Sequence, residues 1–138
     1  MAQLGVRVDG LREFRADLKA LEDRLPRELT KVNKRAAEFL AQRARARGQS
    51  LGSVAAKAAE TLRASGSQLG GYVIGGDGAP YFFGAEFGAF AYPQFKPWRG
   101  SGGDAGYFVY PEIRASEEEV VDMYGDLLDD LAARAFPN

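Results

Sequence analysis

The chain has no cysteine and no histidine. Without cysteine there is no disulfide framework, no thiolate nucleophile and no thiolate metal ligand. Without histidine the commonest general base and the commonest metal-binding side chain are also missing. Most hydrolase and metalloenzyme schemes lose their usual parts, so a non-enzymatic role with no cofactor and no metal is expected. Also lacking is any apolar run near the roughly eighteen residues that a membrane span requires, and the opening MAQLGVRVDG lacks the apolar core of a secretory signal. These absences lead to the expectation of a soluble protein, not exported by that route and without membrane contact. The Gly-rich strings at Gly75–Gly78 and Gly100–Gly106 do not end in Gly-Lys-Ser/Thr and do not sit between a strand and a helix, so they are not phosphate-binding loops.

What is present is concentrated. The 138 residues make one domain, spanning 1–138, with enough chain to bury a core. Of the sixteen aromatic residues, eleven fall between Tyr81 and Pro111, far more than a short loop can hide. Glycines and prolines interrupt that stretch and exclude a long helix, because Gly permits positive φ and Pro removes a backbone donor. About half of these rings are expected to fill the core. The others, from Tyr92 to Trp98 beside Lys96 and Arg99, are expected to face another subunit, since Tyr, Trp, Phe and Arg are enriched at the buried centres of interfaces.

The net charge of −1 hides a strong polarity along the chain. Residues 27–63 carry a net charge of +6 and residues 112–138 a net charge of −6. The two segments should attract, either as neighbouring helices of one molecule or head to tail between molecules.

In chain order, Leu4–Val8 alternates as a short strand and Asp9 offers an N-cap. Leu11, Phe14, Leu18, Leu21 and Leu25 form one helical face. Pro26 is read as closing that helix and opening a second, from Pro26 to about Arg47. Leu29, Val32, Ala36, Phe39 and Leu40 point inward from the second helix, and its other face is basic. Gly48–Gly52 reads as a stop, and Val54–Ala64 as a short third helix with Ser53 as a possible cap and Gly66 as its end. Leu69–Ile74 and Tyr81–Phe87 read as the strands of a hairpin around the Gly75–Pro80 turn. Phe90–Gly106 reads as a functional arm without regular structure. Tyr107–Tyr110 either adds a strand or leads into a last helix starting at Pro111, with Ser116 and Glu119 as a capping box. The apolar stripe of that helix is Ile113, Val120, Tyr124, Leu127 and Leu131, widened by Val121 and Leu128. The expected class is α+β: a small antiparallel sheet packed against two long amphipathic helices and a C-terminal helix, with an aromatic, Gly- and Pro-rich loop.

Several of these pieces, in this order, resemble the gene-ten-product-like family of neck and tail-completion proteins, which join head to tail in tailed bacteriophages. The pieces are Val8-Asp9-Gly10-Leu11, Glu86-Phe87-Gly88, Phe95-Lys96-Pro97-Trp98-Arg99 and Tyr110-Pro111-Glu112-Ile113-Arg114. The likeness covers nearly the whole chain. It departs from the family at Gly48–Gln68, where an Ala-rich stretch stands in place of an A-P-x-x-T-G-x-L segment. The resemblance implies a structural virion protein in the neck, assembled in the host cytoplasm. It would form a homo-oligomeric ring, six-fold or twelve-fold, between connector or stopper proteins and tail-terminator or tail-tube proteins. DNA would pass through the channel without sequence-specific binding. Glu86, Phe87, Tyr92, Phe95, Lys96, Trp98, Arg99 and Arg114 are the candidate subunit-interface residues. For Glu86 the alternative is a carboxylate that accepts backbone amides within its own chain.

Two other classes are weighed. In a non-catalytic DNA-binding module, Lys34, Arg35, Arg43, Arg45 and Arg47 would contact phosphates or another acidic partner, with binding that weakens steeply in salt. The competing view of those five is a solvated helix face partly paired with the acidic C-terminal segment. A carboxylate hydrolase using Glu86 and Asp104 is the weakest reading, because a Gly-rich loop fixes no geometry between them.

Overall fold

The computed structural model describes residues 11–136. It is a mixed helix and sheet fold with five helices and one two-stranded antiparallel sheet. The strand and cap read at Leu4–Asp9 lie outside the described residues.

The organising element is a single helix, α1, from Leu11 to Leu51. Two helices separated at Pro26 were expected, but the helix runs through it. Pro26 has no N–H to give and its ring crowds the preceding turn, yet the apolar stripe keeps its register across it. Leu18, Leu21, Leu25, Leu29, Val32 and Ala36 recur at spacings of three and four without a reset. The cost of one proline, about 3 kcal/mol, is set against packing of the stripe beyond it, where Val32 and Ala36 are buried, whereas Leu18 before it is 42% exposed and lies outside the packed face. Thr30 Oγ1 donates to the Pro26 carbonyl at 2.9 Å.

The expected stop at Gly48 is also absent, because this glycine serves packing. A Cβ on Gly48 would lie 2.6 Å from Ala59 Cβ and 3.1 Å from the Phe108 ring. Ala36, Ala37, Ala41 and Ala44 are buried along the same helix, and Ala55, Ala58 and Ala59 are buried on α2, Ser53–Ala59. Two helices lined with such small side chains approach closely, which is where their contact energy comes from. The core that results holds one large, fully buried ring, Phe108, whose exposure is 0%. Phe82 packs edge-on against it at 5.7 Å.

The hairpin is shifted one strand toward the N terminus from its expected place. β1, Arg63–Gly66, pairs with β2, Gly71–Ile74, with Arg63 opposite Ile74 and Gly66 opposite Gly71. The third helix therefore ends at Ala59, and the residues after it enter the sheet. Both inner glycines lie on α1, where a Cβ on Gly66 would be 2.6 Å from the Lys34 backbone and one on Gly71 would strike the Asn33 carbonyl. Asn33 Nδ2 donates to the Ser67 carbonyl at 2.7 Å and fixes the turn to the helix.

Tyr81–Phe87, expected as the returning strand, instead contains the helix α3, Phe82–Phe87. Its inward residues Phe82, Ala85 and Glu86 follow helical spacing. After the arm come α4, Val109–Ala115, and α5, Glu117–Ala135. Tyr107–Tyr110 is thus the lead-in to a helix. The Ser116 capping box does not form: the Ser116 hydroxyl donates to Glu112 Oε2 at 3.4 Å, no side-chain cap bond reaches α5, and Glu119 binds Arg43 instead. Leu131 is buried and Val120, Tyr124 and Leu127 are half-buried, as expected, but Val121 and Leu128 are each 61% exposed and do not belong to the buried stripe. Tyr124 Oη donates to Asn33 Oδ1 and ties α5 to the centre of α1. Among the described residues no helix is long and apolar enough to cross a membrane.

Candidate functional site

The arm from Gly88 to Gly106 begins at a buried carboxylate. Glu86 is 1% exposed. Its Oε1 accepts the amides of Tyr107 at 3.1 Å and Tyr110 at 3.3 Å, and its Oε2 accepts that of Val109 at 2.8 Å. The Val109 and Tyr110 amides open α4 and have no acceptor within the helix, and that of Tyr107 lies just before it. One side chain of α3 therefore closes the arm by gripping the chain where it returns. Burial holds the Glu86 carboxyl above its ordinary value, and the backbone amides around it offset only part of that rise. Gly106, at φ +88, is required beside it, because a Cβ there would strike Oε1. Glu86 leaves the set of interface candidates on this geometry: its oxygens are occupied within the chain, as in the alternative weighed for it. Asp104 is exposed, and the arm does not bring its carboxylate to Glu86 as a bonded pair.

The arm folds on its own hydrogen bonds, although it was expected to lack regular structure. Ala89 N donates to the Lys96 carbonyl at 2.9 Å, Ala89 and Pro97 form a parallel bridge, and Arg99 N donates to the Phe87 carbonyl at 2.5 Å. Gly106 N then reaches the Arg99 carbonyl at 2.7 Å. The Arg99 guanidinium donates through Nε to the Asp104 carbonyl at 3.0 Å and lies 5.0 Å from the centre of the Tyr107 ring. Lys96 Nζ lies 5.9 Å from the same ring, and Tyr107 Oη donates to the Pro97 carbonyl at 2.7 Å. Arg99 and Lys96 thus brace the arm while remaining exposed.

The rings divide into anchors and displayed surface. Phe95 is an anchor, half-buried against α3, where a Cβ on Gly84 would come within 2.5 Å of its ring. Trp98, 46% exposed, stacks on Phe90 with centroids 5.4 Å apart and also meets Phe87 at 6.4 Å. Phe87 stacks on Phe83 at 6.4 Å and touches Tyr110 at 5.4 Å. Phe90, Trp98, Phe87 and Phe83 therefore form one continuous row, with Phe90 86% and Phe83 74% exposed at its ends. Tyr92 is exposed and meets the edge of Phe95 at 6.4 Å. Arg114 is exposed on α4.

Phe83, Phe90 and Tyr110 belong to this surface and were not singled out from the sequence. The signal for Phe83 was its four-residue spacing from Phe87, which a strand holds about 13 Å apart along one face and a helix brings side by side. Rings in such a row hold one another in place and would lose little freedom if covered.

The basic candidates do not form one surface. Arg43 makes a two-pronged pair with Glu119, both bonds 2.9 Å, and lies over Phe39 at 4.5 Å. Arg47 meets Glu112 at 3.5 Å. Arg45 is half-buried and donates to the Leu62 carbonyl, holding the chain that enters β1. Lys34 and Arg35 stay exposed and share with Asp126 and Asp130 the walls of a groove of about 620 Å³ between α1 and α5. The opposite charges of the two segments thus meet inside one molecule. No family model matches the sequence, and comparison with curated proteins and with solved structures gives no match.

Proposed function

We propose that the protein is a structural subunit that assembles through the aromatic arm, as a homo-oligomeric ring at the neck of a tailed phage between the connector and the tail. The observation that carries this reading is the row Phe83, Phe87, Trp98 and Phe90, rigidly presented and left open to water at both ends. Such a surface costs solubility in a lone molecule and is covered in an assembly. Self-assembly in a closed ring needs two different surfaces on each copy, one meeting the other around the circle. The order of motifs in the sequence supports the virion setting, with DNA passing through the ring.

The DNA-binding alternative has lost part of its support, because Arg43, Arg45 and Arg47 each have a partner within the chain. Lys34 and Arg35 remain, beside acidic groups that oppose phosphate. Native mass measurement of the purified protein, alone and with a candidate connector, tests the proposal. A ring of defined stoichiometry, lost in Trp98→Ala while the helical circular-dichroism spectrum is kept, is the expected result. Unfolding of the Trp98→Ala chain would place that ring in the core and defeat the reading.

A further inference from the structure

Among the described residues the sheet has only two strands, and none of them lies beside the far side of β2. Ser67 N donates to the Gly70 carbonyl, and in an antiparallel ladder the bonded positions then alternate. Tyr72 and Ile74 face β1, while Gly71 and Val73 direct their N–H and C=O groups to the open side. That open side borders an apolar groove of about 360 Å³, whose walls include Leu40, Val73, Phe83, Phe87, Tyr110 and Ile113. Tyr110 and Ile113 on its wall are each more than a third exposed. An edge with free backbone groups beside an apolar trough is the geometry that accepts an added strand.

The sequence contains a segment with the alternation of such a strand. In Leu4–Val8, Leu4, Val6 and Val8 share one face and Gly5 and Arg7 the other. Laid beside β2, the apolar face turns toward the groove, in the direction that Val73 takes into the core. Its own molecule cannot place it there. β2 begins over Asn33, since a Cβ on Gly71 would meet the Asn33 carbonyl. From Leu11 to Asn33 the helix is about 33 Å long at 1.5 Å per residue. Fully extended, the seven residues from Leu4 to Leu11 span at most about 25 Å. Leu4 therefore stops short of the near end of β2, and the rest of the groove, toward Leu40, is farther away.

We propose that Leu4–Val8 of a second copy adds to the free edge of β2 and seats Leu4, Val6 and Val8 in this groove. The inference rests on the homo-oligomer reading above and gives it a second contact, from tail to groove, separate from the aromatic arm.

The test uses the full-length chain carrying Val6→Asp, which disables its own donor segment, and a labelled peptide AQLGVRVDG. Saturable binding is expected, with at least a tenfold loss when the peptide carries Val6→Asp or the protein carries Ile113→Lys or Val73→Pro. Ile113→Lys sits on an exposed wall and spares folding, which the helical circular-dichroism spectrum checks. Absence of saturable binding at millimolar peptide overturns the proposal, and so does binding that both groove variants leave unchanged. The native mass of the parent chain is read separately. A monomeric parent whose Val6→Asp form still binds the peptide retains the strand site and sinks the ring.

Discussion

Two regions of this molecule use opposite materials. The seam where α1 meets α2 and the hairpin is built from alanine and glycine, with Phe108 its one large, fully buried ring. In the arm and the helix before it, large rings lie outside: Phe83, Phe90, Tyr92 and Trp98 are all exposed. A soluble monomer is usually built the other way round, with its bulk inside. The difference separates two tasks. Close backbone approach holds the single chain together, and the rings are left for something else to cover.

The comparison breaks first at Phe108. Phe108→Ala removes the only large ring at full burial among the described residues and should cost about 3 to 5 kcal/mol, measured by urea denaturation. Gly48→Ala sharpens it. Helix propensity alone would make that change stabilising by about 1 kcal/mol. The seam instead requires destabilisation of about 1 to 3 kcal/mol, because the new methyl meets Ala59 and the Phe108 ring. A stabilised Gly48→Ala chain would show that the helices are not in close contact.

Glu86 sits between the two regions and should behave like the seam. Glu86→Gln puts an amide group among backbone donors and should cost about 1 to 3 kcal/mol. Its pH dependence has a definite sign. Because the folded carboxyl is raised above 4.5, the folded state holds its proton more tightly than the unfolded state. This stabilising contribution is full below about pH 4.5 and is lost as pH rises through the folded value. Thermal melts of the parent and of Glu86→Gln across mildly acidic pH read the difference, and a contribution from Glu86 that grows with pH would contradict the burial argument. The smallest stability effect belongs to the surface pair: Arg43→Ala should cost less than about 1 kcal/mol, since both partners are near half exposed and screened by salt.

Much of this architecture was legible in the sequence. The α+β class, the amphipathic stripes of the long helix and of α5, and the meeting of basic and acidic segments followed from periodicity and charge. The misreadings share a cause. Pro26 and Gly48 read as breaks because each disfavours a helix locally, whereas the stripe stays in register across the first and tight packing selects the second. The hairpin slipped because Arg63–Gly66 follows an alanine-rich helix with little strand character, and its place on α1 is set by Gly66 and Gly71, whose missing side chains leave no periodic signal. Phe82–Phe87 reads as a strand by composition, but Phe82, Ala85 and Glu86 all turn inward, and a strand would put Ala85 on the face opposite the other two. Among the arm candidates, Trp98 stands on the displayed row, Phe95 serves as an anchor, and Glu86 is internal. Sequence alone could not separate them, because a ring that anchors and a ring that displays are the same residue until the backbone places them.

The most direct test is the oligomeric state of a Phe90→Ser, Trp98→Ser double variant beside the parent chain, by sedimentation velocity over a range of concentrations. Exposed rings that serve assembly predict a parent that associates and a variant that remains a folded monomer with its melting temperature within a few degrees. A parent that stays monomeric at every concentration, or a variant that associates as the parent does, would contradict that account.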